Sequence, residues 1–190
     1  AHSRSALLVA GGSRNYFNGH ASYGTTLGGT GFLVDFMRKQ GAGARDNVHS
    51  GINDFSAKVV TRVAGAHVLT LRGSYYGEES NVTYSGLRED EYRANPRQNP
   101  FANDFFYIDR GGSSATHNYS LSDHLVVTTN AYVSTFKRHW WRQSSNSAQR
   151  PNDAADPACG GMANLNTTCG NEGRLRRYWV AGIEPRARAS

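Results

Sequence analysis

The sequence predicts an all-β chain, an antiparallel meander of about eight strands. Three observations predict it. Apolar and polar side chains alternate with a period of two over several segments. Short connections alternate with long ones. The composition is poor in apolar residues, 38 % hydrophobic, yet rich in Tyr (10), Phe (8) and Gly (21). A soluble domain of this length usually carries about 45–50 % apolar residues on a count that includes Gly. Few aliphatics with many Tyr and Gly fit β structure that has one wet face. No run approaches the ~20 apolar residues of a membrane-crossing helix. Membrane-crossing strands are not excluded, because they alternate and give no hydropathy peak.

In chain order, the strand-like segments fall at 4–10, 15–27, 31–40, 51–63, 67–80, 104–121, 124–142 and 174–187. A brief connection at 11–14 joins the first two. Short connections follow at 28–30, 64–66 and 122–123, and long ones at 41–50, 81–103 and 143–173. The fourth segment places Phe55, Ala57, Val59, Thr61 and Val63 on one face and Ser56, Lys58, Val60 and Arg62 on the other. In the fifth, Leu69, Leu71, Gly73 and Tyr75 oppose Thr70, Arg72, Ser74 and Tyr76. Between them lie only Ala64, Gly65 and Ala66, a hairpin-length link. In the seventh, the odd positions Leu125, Val127, Ala131 and Val133 are apolar, although Val126 and Phe136 break the pattern.

One tight end, one elaborate end and long strands are the plan of an outer-membrane β-barrel. The mid-strand Lys58, Arg62 and Arg72 argue against a soluble β-sandwich, whose strands each need an apolar inner face. Aromatic clusters stand near the long-loop end of four strands: Tyr75–Tyr76, Phe105–Phe106–Tyr107, Trp140–Trp141 and Tyr178–Trp179. If they share one level, they form the girdle found at lipid headgroups. Neighbouring strand residues point to opposite faces, so Trp141 is expected toward lipid and Trp140 toward the interior with Arg138 and Arg142. Ordinary core aromatics at strand ends are the plainer alternative.

The net charge of +6 makes nucleic acid the first partner to consider. The basic residues are spread along the chain without a basic helix or zinc-finger spacing, so no nucleic-acid partner is expected. Seven His are scattered without ligand spacing, and no phosphate loop, dinucleotide fingerprint, HExxH or G-x-S-x-G occurs. No enzyme, metal site or cofactor is expected. Cys159 and Cys169 lie in the longest loop, where a disulfide fits an oxidising compartment and two unpaired thiols are the alternative.

A collar remains at the long-loop end: Lys39, Arg110, Arg138, Arg142, Arg174 and Arg176, with Trp140 and Tyr178 beside it. Parity points most of these side chains into the lumen. Basic groups crowded in a confined mouth focus potential on an anion, and Arg pairs with carboxylate through parallel hydrogen bonds. The same charges could instead be lumenal groups paired to Asp and Glu, with no ligand role.

Four stretches carry a family resemblance: "GGTGFLVDFMRKQGAGAR", "LTLRGSYYGEES", "YRANPRQNPFANDFFYIDR" and "YWVAGIEPR". They resemble the barrel of TonB-dependent outer-membrane receptors and are most similar to the ferric dicitrate receptor subgroup, from about residue 5 to 186. The resemblance implies a 22-stranded transmembrane β-barrel, of which residues 1–190 would be a partial segment. It implies uptake of a ferric chelate, ferric citrate or a related anionic siderophore, in the bacterial outer membrane. It also implies contact with outer-membrane lipid, and TonB as energy source through an N-terminal plug domain. The chain departs from the family in having no plug, no TonB box and about eight strands, so an internal barrel fragment is expected. A passive porin-like channel is the competing reading.

Overall fold

The computed structural model describes residues 3–83, 86–102, 104–143 and 171–189. They form one eight-stranded antiparallel sheet in sequential order, each strand hydrogen-bonded to the next. The strands are β1 (Ser3–Gly12), β2 (Tyr16–Leu27), β3 (Thr30–Ala42), β4 (His49–Ala64), β5 (His67–Asn81), β6 (Phe105–Ser122), β7 (Leu125–Gln143) and β8 (Asn171–Ala189). The sheet is open, with β1 and β8 at its two edges. The expected meander is present, with strand ends shifted by a few residues.

At one end the connections are the two-residue turns Gly28–Gly29, Gly65–Ala66 and Asp123–His124. Gly28 (φ 58°) and Gly65 (φ 45°) open their turns in the left-handed region. That conformation suits a hairpin link and is costly for residues with a Cβ. Register shifts at Arg62/Ala64 and Ser120/Ser122 place bulges beside two of these turns. At the other end, the link between β5 and β6 contains a short helix, α1 (Glu89–Ala94), which the sequence reading did not anticipate. Its acidic first turn, Glu89, Asp90 and Glu91, suits a helix N-terminus, and Arg88 N donates to Glu91 at 2.6 Å.

Cross-strand partners share a face, so register fixes which residues stand together. One face carries Phe36, Phe55, Tyr75, Gly111, Thr135 and Trp179 in a single row across β3 to β8. Toward the tight turns this face continues through Val34, Val59, Leu71, Val133 and Ile183. It is uncovered: Phe55 is 39 % exposed, Leu71 43 %, Trp179 71 % and Ile183 73 %. The opposite face holds Ser56, Lys58, Arg72, Ser74, Ser114, Thr116, Asn130 and Ser134. Thr116 donates to Asn130 at 2.8 Å and Thr128 to Asn118 at 2.7 Å. The only hydrophobic residue buried among those described is Phe101, in the β5–β6 link. Among the described residues no core lies between layers, and the sheet divides into an exposed apolar face and a polar face.

The apolar band ends abruptly. One row beyond Phe36, Phe55, Tyr75 and Trp179 stand Arg38, Asn53, Asp109, Lys137 and Arg177 on the same face. From Tyr75 down to His67 is roughly 26 Å along the strand at ~3.3 Å per residue. With a barrel tilt of about 40° this spans roughly 20 Å, on the scale of the ~25 Å band of membrane barrels. β4 is 16 residues long and β7 is 19, so both project well past this band.

The aromatic clusters do not share one level, contrary to expectation. Tyr76 stands in a row with Arg110, Phe136 and Tyr178. Phe106 pairs with Trp140, and both align with Ser80, four positions farther along β5 than Tyr76. Trp141 lies on the outward face as parity required, but beyond the charged row of Lys137. It is therefore not part of the aromatic row that borders the apolar band.

Candidate basic site on the polar face

The expected collar residues all lie on the polar face, in three adjacent rows apart from Arg142, which stands one row farther toward the loops, opposite Glu172. The middle row runs Lys39, Ile52, Glu78, Ile108, Arg138 and Arg176. The row nearer the loops includes Phe106, Trp140 and Arg174, and the row nearer the band includes Tyr76, Arg110, Phe136 and Tyr178.

Trp140 is the centre of the cluster. Arg138 and Arg142 flank it on its own strand, since positions two apart share a face. Arg174 stands directly opposite on β8. Their guanidinium carbons lie 5.8, 5.9 and 5.4 Å from the ring centroid, within cation–π range. Arg138 faces Arg176 across the β7–β8 pair, a like-charge juxtaposition that destabilises a bare sheet. The Arg138 Nε is buried and has no hydrogen-bond partner among the described residues. Glu172 stands opposite Arg142 in register.

The neighbouring row adds Arg110, whose guanidinium lies 5.4 Å from the Tyr76 ring centroid, and Tyr178, which stacks on Phe136 at 5.0 Å. Between this cluster and Lys39 stands Glu78, held by Tyr76 Oη (2.7 Å) and Ser80 Oγ (2.9 Å), both donating to it. Lys39 is four strand steps from Arg138, roughly 19 Å at ~4.8 Å per step. Seven of the eight expected residues are thus brought together on β6, β7 and β8, and Lys39 is not. Cys159 and Cys169 lie outside the described residues. The cluster's chemistry is that of an anion receptor: several guanidinium groups held around one indole ring. Among the described residues no group of three or more His, Cys, Asp or Glu could hold a metal ion.

Two features escaped the sequence reading. The β5–β6 link docks onto the β3–β4 link: Asp46 N donates to Arg97 O at 2.6 Å, Arg97 pairs with the Asp46 carboxylate at 3.3 Å, and Asn47 Nδ2 donates to Ala102 O. Phe101, in the same β5–β6 link, is 1 % exposed. The second is a cavity of about 470 Å³ above the band, lined by Arg38, Asn53, Tyr75, Glu79 and Tyr107 among others. Its Arg38 donates to Gln40 (2.9 Å) and Asn53 (3.2 Å). Nearby, burial and then the Asp109 carboxylate raise the Tyr107 phenol above its ordinary 10.0.

No family model matches the sequence, and no curated protein matches it. Solved structures do match the fold. The crystal structure of the unliganded ferric citrate transporter FecA superposes with a TM-score of 0.70 at 19 % identity, over 97 % of this chain and 25 % of that one. The open form of the ferric-catecholate import receptor Fiu from E. coli K12 gives 0.64 at 12 % identity, over 97 % and 30 %. The siderophore receptor PiuA from Acinetobacter baumannii gives 0.59 at 15 % identity, over 82 % and 23 %. The chain spans about a quarter of the length of these proteins. At such identities the likeness is one of fold: the eight strands correspond to part of the barrel of these receptors.

Proposed function

We propose that this chain is barrel wall of a TonB-dependent outer-membrane transporter, and that its polar face takes part in admitting an anionic ferric chelate, ferric citrate or a related carboxylate siderophore. The observation that carries the reading is the arginine cluster around Trp140, on the face away from the apolar band and at the long-loop end. A carboxylate-rich chelate would meet guanidinium forks already held against an aromatic ring. The outward apolar face supports an outer-membrane location, with lipid on one side and an aqueous lumen on the other. Energy from TonB, reached through a plug domain, belongs to the same proposal.

The test uses the full-length protein in cells that depend on ferric citrate for iron. Replacing Arg138, Arg142, Arg174 and Arg176 together with Ala should weaken uptake of radiolabelled iron citrate, whereas Lys137→Ala, on the outward face, should change it little. Dissipating the inner-membrane potential should abolish wild-type uptake; uptake that survives would make the protein a passive channel. Unimpaired uptake by the quadruple variant at normal surface expression would reduce the collar to structural charge.

A further inference from the structure

At the tight-turn end, the apolar face carries a pair of imidazoles that spacing along the chain does not reveal. His67 opens β5, and His117 lies 50 residues later on β6. The β5–β6 register sets His67 opposite Tyr119 and His117 opposite Leu69, so the two histidines are diagonal neighbours on one face. His67 Nδ1 and His117 Nε2 are 3.0 Å apart, and the ring planes differ by 5°. One of these nitrogens donates a proton and the other accepts it. Tyr119 stacks on the His67 ring with 4.1 Å between centroids. The next residues across the sheet on this face are Ala64, Val127 and Thr129, none of them ionisable.

Two imidazole nitrogens at this spacing suit adjacent positions on a transition-metal ion. Metal–nitrogen bonds of about 2.0–2.1 Å put neighbouring nitrogens about 2.9 Å apart at a right angle and about 3.3 Å apart at the tetrahedral angle. The observed 3.0 Å falls between the two. A small adjustment of the rings aims both lone pairs at one ion. The donor ring passes its proton through water to its other nitrogen, so both rings stay neutral as ligands. The strand pairing already holds the two side chains together, and the stacked Tyr119 restricts one of them.

We propose that His67 and His117 form a binding site for a divalent transition-metal ion, copper(II) in preference to zinc(II), with water completing the coordination. Imidazole suits copper, nickel and zinc, whereas magnesium, calcium and manganese favour oxygen ligands. Copper(II) stands highest in the affinity order, and its tetragonal geometry accepts two nitrogens at a right angle. The bound ion bridges β5 and β6 beside the turn at Gly65. The site lies on the opposite face and at the opposite end of the sheet from Trp140, so it stands or falls apart from the proposed function.

The full-length protein in detergent, without a polyhistidine tag, tests this with copper(II) sulfate as the probe. The electron paramagnetic resonance signal lost between wild type and His67→Gln/His117→Gln should show two coordinated imidazole nitrogens. Each single substitution should weaken binding of that ion by at least about tenfold, since even an outer-shell partner is worth about 10- to 100-fold. His124→Gln, in the β6–β7 turn, should leave it unchanged. Zinc sulfate should slow amide exchange over 67–69 and 117–119 in wild type and not in the double variant. Equal copper binding by wild type and the double variant overturns the site. A difference signal with one nitrogen also overturns it, because a single exposed His would give that. Neither outcome bears on ferric citrate uptake.

Discussion

Replacing Trp140 with Leu should weaken binding of ferric citrate while leaving every arginine in place. Arg138, Arg142 and Arg174 converge on the indole from three sides at 5.4 to 5.9 Å. Each such contact contributes about 0.5–1 kcal/mol where water has access, so three give about 1.5–3 kcal/mol at most. The ring also holds three long side chains in place before ligand arrives. Without it, the ligand must order them at about 0.5–1.5 kcal/mol each. The two figures describe the same ordering and do not add. Trp140→Leu should therefore raise Kd about 10- to 100-fold, since each 1.4 kcal/mol is a factor of ten. Trp140→Phe keeps a π-face and should lose much less. Isothermal titration of the detergent-solubilised full-length protein with ferric citrate measures both. The reasoning fails if Trp140→Leu binds within twofold of wild type while the quadruple arginine variant does not bind. In that case the ring would be a bystander and charge alone would hold the ligand.

Three further outcomes are expected. Leu71→Arg or Val133→Arg, on the outward face, should destabilise the protein in lipid vesicles by about 2–4 kcal/mol in urea titrations, whereas Ser74→Arg on the polar face should cost far less. Phe101→Ala should release the β5–β6 link from the β3–β4 link, a loss of about 3–5 kcal/mol confined to that contact, read as faster amide exchange over 86–102 with β4 protection unchanged. Asp109→Asn should lower the ultraviolet titration midpoint of Tyr107 toward 10.0, leaving the part due to burial. Because the phenol's folded-state value is raised, its contribution to stability is full below pH ~10 and fades as pH climbs through the raised value, and the variant should show less of that alkaline loss.

Face assignment was legible in the sequence because it is local. A strand has a strict period of two, so Leu71 and Arg72 must part company whatever surrounds them. Level was not legible. Tyr75–Tyr76 and Phe105–Phe106 both stand near the long-loop end, but β5 continues to Asn81 before the chain leaves the sheet. Height is set by register, and register depends on where each strand actually pairs. The same limit explains Lys39. It shares a row with Arg138, yet lateral distance accumulates strand by strand and leaves no trace in spacing along the chain. Arg174 meeting Trp140 required the β7–β8 register across residues 144–170, which no local pattern supplies. Phe101 was hidden because burial inside a polar link depends on contacts distant along the chain, which leave no local pattern.

Three like-charge pairs stand directly opposite across the sheet: Lys58 with Arg72, Arg138 with Arg176, and Lys137 with Arg177. Each costs stability in a bare sheet, and their positions differ. Arg138 and Arg176 stand on the polar face at the long-loop end, where the proposed function brings an anion. Lys137 and Arg177 stand on the apolar face, one row beyond the band. Lys58 and Arg72 stand on the polar face within the band's height, far from either, and make no hydrogen bond or ion pair among the described residues. Of the three, they need a counterpart that fills the lumen, and we propose an acidic surface of a plug domain. Lys58→Gln/Arg72→Gln should then loosen the plug in the full-length protein. Protease cleavage of the plug in folded protein should speed up, while the barrel's urea midpoint stays level or rises as the repulsion is relieved. An unchanged cleavage rate would refute that assignment and leave water as the partner of both charges.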